Sequence, residues 1–132
     1  MLRILEQKNL DAYQEIIRQT AIPDSAQLHL TEALEEDDSV KGWILYAYQP
    51  EQILIYALDD GKDWNYCDGL LRSVLFKAQL RGIEKAVLEI PDSAVMEKIS
   101  RLGFVKNEQK IIESISEIME NCKKCKENPA NT

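Results

Sequence analysis

Two apolar runs separated by three residues, 42–48 (GWILYAY) and 52–58 (QILIYAL), constrain this chain most strongly. Both are rich in β-branched and aromatic residues, and the Gln49-Pro50-Glu51 link is short enough to predict an antiparallel hairpin. The hydrophobic period then changes. A polar loop (DDGKDWNYCDG, residues 59–69) gives way to Leu70, Leu71, Val74, Leu75 and Ala78, which recur at helical spacing, with Gly82 as a left-handed cap. Residues 86–90 (AVLEI) read as a buried strand. Pro91-Asp92-Ser93 opens a short helix carrying Val95, Met96, Ile99 and Leu102, and Gly103 closes it.

The flanks are read from the same signals. Leu2-Arg3-Ile4-Leu5 begins a strand. Asn9 caps a helix with Asp11 in its first turn and Leu10, Tyr13, Ile16 and Ile17 on one face, stopped by Pro23. Residues 28–35 alternate at Leu28 and Leu30, whereas 31–35 suit a helix equally well; pairing across an acidic turn at 35–39 favours the first strand of a three-stranded meander. Residues 104–106 and 111–112 are strand candidates at the far edge, and 114–120 suits either a strand end or a last helix. A meander, a crossover helix, another strand and another helix describe an α/β fold: a mixed, mostly antiparallel sheet with helices on both faces. The expected organisation is one domain over 1–121 and a flexible tail over 122–132 that carries Cys122, Cys125 and several lysines.

Composition narrows the partners. The 132 residues carry a net charge of −7, which counts against nucleic acid, because phosphate recognition needs a basic face. No stretch approaches the ~20 apolar residues of a membrane span. The first nine residues lack the apolar core of a secretory signal, so a cytoplasmic protein is expected. Three cysteines are an odd count that suits reduced thiols. Cys122-Lys-Lys-Cys125 is half of a zinc or redox motif without its second half; Cys67 and His29 are distant in sequence, so no metal site is expected.

The hairpin before Asp59, the helix start Asp68-Gly69-Leu70-Leu71-Arg72, the Arg81-Gly82-Ile83 cap and Arg101-Leu102-Gly103-Phe104 together resemble the GNAT superfamily of N-acetyltransferases. The resemblance implies acetyl-CoA as donor and a small-molecule or peptide amine as acceptor, with a homodimer as one assembly. In that family a Gln/Arg-x-x-Gly-x-Gly/Ala loop opens the helix and holds the coenzyme A pyrophosphate on backbone N–H groups. The physical basis is a helix N-terminus with unpaired donors and partial positive charge. Aligned on Leu70-Leu71, Lys62 takes the Gln/Arg position, Asn65 the first glycine and Cys67 the second; a register shifted by one or two residues brings in Gly69. The implied donor site is therefore Leu58, Lys62, Trp64, Asn65, Tyr66, Cys67, Asp68 and Gly69. Asp59, Asp60, Asp63 and Asp68 surround it, with Lys62 the one nearby cation.

Acyl transfer needs an acid for the departing thiolate and a base for the ammonium proton. The family's tyrosine slot holds Ile99, which donates nothing. Tyr66, Tyr56 and Cys67 are the alternatives for the acid, and Glu89 is a candidate base or simply the outward half of an alternating strand. Two functions lead from these residues: an acyl-CoA-dependent N-acyltransferase, or a non-catalytic GNAT-like binding or dimerisation module with a decayed coenzyme A loop. A weaker third is a thiol protein in which Cys67 and the Cys122/Cys125 tail handle metal or redox chemistry.

Overall fold

A computed structural model describes residues 3–106 and 109–120. Its strands are β1 (Arg3–Gln7), β2 (His29–Leu34), β3 (Val40–Tyr48), β4 (Gln52–Asp59), β5 (Lys85–Leu88) and β6 (Ile111–Ile112). They form one sheet in the order β1-β2-β3-β4-β5-β6. All neighbours are antiparallel except β4 and β5, which are parallel and joined through helix α2 (Trp64–Leu80). Helix α1 (Gln14–Gln19) follows β1, helix α3 (Ser93–Arg101) follows β5, and residues 115–120 are helical. The expected meander, hairpin and crossover are all present.

Helices cover both faces, unequally. On one face Ile53, Ile55, Leu58 and Leu88 pack under Leu70, Leu71, Val74 and Leu75 of α2, Val95 and Ile99 of α3, and Ile115. On the other, the six-residue α1 and the turn before it cover a small cluster of Tyr13, Leu30, Leu45 and Ala57, with Ile16, Ile17 and Trp43 at its margin.

Two features of β4 create an opening. Leu45 pairs with Ala57 and Tyr46 with Ile55, so Tyr56 is an extra residue bulged out of the ladder. The bulge breaks the strand's parity, and Ile55 and Leu58 therefore reach the same core cluster. Pairing with β5 runs only from Gln52 to Ile55 and ends with the Glu89 N–H on the Ile55 carbonyl at 2.7 Å. Beyond that point β4 stays with β3 and leaves β5.

The start of α2 differs from expectation. The helix begins at Trp64, not Leu70, so residues 64–69 are its first turns instead of a loop. Asp63 caps it, accepting the Asn65 N–H at 2.8 Å. Gly69, a poor helix former, is accommodated because β1 crosses closely there: a Cβ would lie 3.1 Å from Ile4 Cδ1. At the other end the cap is as expected. Gly82 has φ +78°, and the Gly82 and Ile83 N–H groups close onto the Gln79 and Ala78 carbonyls. Residues 104–106 are not a strand; Phe104 instead turns into the core below the Arg72 guanidinium. Residues 114–120, left open by the sequence, finish as helix from 115. The expected tail, 122–132, lies outside the described residues.

Candidate functional site

Where β4 parts from β5, a cavity of about 430 Å³ opens between the two faces of the sheet. Its floor is Ala57, Leu58, Asp59 and Asp60 with Trp43 alongside; α1 contributes Ile16, and the far wall is Ile90 to Asp92 with the first turns of α3. A cleft of this size and mixed polarity at a strand divergence is a ready ligand site.

The turn that leads from β4 into α2 forms one rim, and it is held rigidly. Gly61 sits at φ +59°, and an added Cβ would lie 2.2 Å from the Lys41 carbonyl oxygen, so the turn is sealed onto β3. Gly42 makes the matching close approach, its missing Cβ 2.8 Å from the Asp59 carbonyl. Lys62 is also left-handed, at φ +65°.

Within this turn and the first turn of α2, six backbone donors are taken. The Gly61 N–H is bonded to the Asp59 carboxylate at 2.8 Å, the Lys62 N–H to Asp60 at 2.9 Å and the Asn65 N–H to Asp63 at 2.8 Å. The Asp63, Tyr66 and Cys67 N–H groups close onto the carbonyls of Asp60 and Asp63. Asp60 is 4% exposed and also accepts Lys98 Nζ at 2.7 Å. That bond raises the Lys98 pKa, against the opposing effect of burial.

Of the residues nominated from sequence, Leu58 and Lys62 line the cavity. The others are on α2 or to one side. Trp64 is 41% exposed at the first helical position. Tyr66 donates to the Glu35 carboxylate at 2.6 Å, and that bond with the neighbouring acids raises its pKa. Cys67 is fully buried, and desolvation pushes its thiol up to about 12. Asp68 holds Arg72 in a two-pronged contact at 2.9 Å. Glu89 is exposed at the end of β5, close enough for its charge, after burial, to raise the pKa of Tyr56. Ile99, which the resemblance aligns with the family's tyrosine, is buried in the core.

Sequence reasoning missed Trp43, Asp92 and Lys98 as cleft residues. Trp43 was legible only through register: it stands directly between Glu32 on β2 and Asp59 on β4. Tyr13 packs edge-on against it with ring centroids 5.4 Å apart, and donates to Glu32. Among the described residues no group of three His, Cys, Asp or Glu side chains is placed to hold a metal; Cys122 and Cys125 are outside them. No described helix is long and apolar enough to cross a membrane.

No protein-family model matches the chain, and no curated protein matches it significantly. Solved structures do. A protein from Pyrococcus furiosus assigned as an acetyl transferase is similar over 81% of this chain and 95% of its own, with TM-score 0.59 and 17% identity. A GNAT-family protein from Desulfovibrio desulfuricans, assigned as an acetyltransferase, gives TM-score 0.59 and 17% identity over 81% of this chain and 87% of its own. A chain of the KacTA–DNA complex gives TM-score 0.58 and 12% identity over 92% and 99%. That last neighbour belongs to an assembly with DNA, so the fold does not exclude nucleic acid in the way the net charge was expected to. With its parallel β4/β5 pair, bulged β4 and diverging strand ends, the chain has the fold of the GNAT acetyltransferases.

Proposed function

We propose that this chain is a GNAT-fold binding module whose acyl-donor seat is filled by its own carboxylates. It holds a ligand in the β4/β5 cleft without drawing an acyl group from coenzyme A. One observation carries this reading: the Gly61, Lys62 and Asn65 N–H groups are bonded to Asp59, Asp60 and Asp63. A diphosphate taking those donors would have to displace three carboxylates and then sit among them. At an effective dielectric of ~20, each like-charge pair at ~5 Å opposes binding by about 3 kcal/mol. Lys98 is already engaged by Asp60, which leaves Lys62 as the other cation lining the cavity. The buried Ile99 and the enclosed, weakly acidic Cys67 agree with a site that does not protonate a leaving thiolate.

Titration calorimetry with acetyl-CoA tests the reading. The expected dissociation constant is weaker than about 1 mM, near −4 kcal/mol; micromolar binding would overturn it. Sedimentation velocity then asks whether the partner is a second copy of this chain.

A second reading, an acetyl-CoA-dependent N-acyltransferase acting on an amine, is favoured by the GNAT fold and the open cleft. Under it Leu58 and Lys62 flank the donor, with Trp64, Asn65, Asp68 and Gly69 nearest on α2. The acid is Tyr56, Tyr66 or Cys67, and Glu89 is the base. Of the three acids, Tyr56 alone has no carboxylate hydrogen bond and belongs to neither apolar cluster, and it is itself buried at 5% exposure. Acetyl transfer to a panel of primary amines, lost in Tyr56→Phe, is the result that would establish this reading over the first.

A further inference from the structure

Beyond Ile55 no backbone ladder ties β4 to β5, so the width of the cleft must be set by side chains. Its outer wall is α3, a nine-residue helix that buries only Val95 and Ile99. Pro91 precedes the helix, and Gly103 follows it at φ +93°, with its N–H and that of Phe104 closing onto the Ser100 and Ile99 carbonyls. An element with so few buried anchors belongs to the low-stability end of a fold. The ion pair between Lys98 on α3 and Asp60 at the end of β4 spans the gap at 2.7 Å. Asp60 is fixed from below, because its other carboxylate oxygen accepts the Lys62 N–H and its carbonyl accepts the Asp63 N–H. Lys98 side-chain exposure is 21% and that of Asp60 5%, so the pair is shielded from most solvent screening.

We propose that the Asp60–Lys98 ion pair is a latch that holds α3 against the end of β4 and sets how far the cleft opens. With the pair closed, α3 and the β4–α2 turn move as one body. With it broken, the first turns of α3 move away from the end of β4 and the cavity widens along Ala94, Val95 and Lys98. A ligand carrying either charge competes with one partner of the pair, so occupancy of the cleft is coupled to the position of α3. The device is independent of whether coenzyme A binds.

Hydrogen exchange by mass spectrometry on the full chain tests it without any ligand. Lys98→Met should raise exchange in residues 93–103 by at least about tenfold while β2, β3 and the middle of α2 keep their protection. Lys98→Arg should restore the native pattern, and Lys98→Met combined with Asp60→Asn should add little to Lys98→Met alone. Should Asp60→Asn fail to fold, because that carboxylate also holds the turn, the Met and Arg variants still decide. Unchanged exchange in α3, or an equal rise in every element, would overturn the latch.

Discussion

Replacing Gly61 by alanine tests the rigidity of the β4–α2 turn, and Gly82 supplies an internal control. Both glycines have left-handed backbones, at φ +59° and +78°, so each alanine carries the same conformational cost of about 1 kcal/mol. They differ in what the new methyl meets. At Gly82 nothing lies within 4 Å, whereas at Gly61 the methyl would sit 2.2 Å from the Lys41 carbonyl oxygen. That oxygen belongs to β3, so it cannot yield as a flexible side chain would. Forcing a methyl into such a contact costs a further ~1–3 kcal/mol. Gly82→Ala should therefore destabilise by about 1 kcal/mol and Gly61→Ala by about 3. Urea denaturation with a slope near ~1.5 kcal/mol/M would separate the two midpoints by about 1.3 M. Equal midpoints would refute the claim that the turn is sealed onto β3.

Three further outcomes follow from the same geometry. Asp63→Ala removes the α2 cap and should cost about 1 kcal/mol, while Asp63→Asn, which can still accept the Asn65 N–H, should cost much less in the same denaturation assay. Cys67, with its thiol near 12 and no exposed surface, should resist Ellman's reagent at pH 8 in the folded chain and react only after unfolding; a fast-reacting Cys67, identified by peptide mapping, would contradict its burial. The Lys98 pKa is raised by Asp60, so its contribution to stability is full below the ordinary lysine range and fades as pH rises through the higher folded value. Thermal melts between pH 9 and 11.5 should show that alkaline loss in the native chain and a flatter limb in Lys98→Met.

The sheet was legible because its signals are local. β-branched runs at 42–48 and 52–58 and a three-residue link define the hairpin before any tertiary contact is known. Residues 28–35, where 31–35 suit a helix equally well, become its third strand only by pairing across the acidic turn. The caps at Gly82 and Gly103 were legible for the same reason, since both need a left-handed backbone. The start of α2 was not. Asp63-Trp64-Asn65-Tyr66-Cys67-Asp68-Gly69 has weak helix propensity, and the first turns are fixed by a side-chain cap and by Cys67 and Leu70 entering the core. That single difference converts an expected phosphate loop into helix. The bulge at Tyr56 likewise has no sequence signature, and it re-aims Leu58 against the parity of its strand. Asp60 and Lys98 are 38 residues apart, and only the crossover brings them together.

The Gly61, Lys62 and Asn65 amides are already bonded to aspartates. Backbone ¹H–¹⁵N spectra recorded during an acetyl-CoA titration read those amides directly. Their signals should stay in place up to about 1 mM ligand. Saturable shifts centred on those three residues at micromolar ligand would show that the aspartates give way, and the binding-module reading would fall.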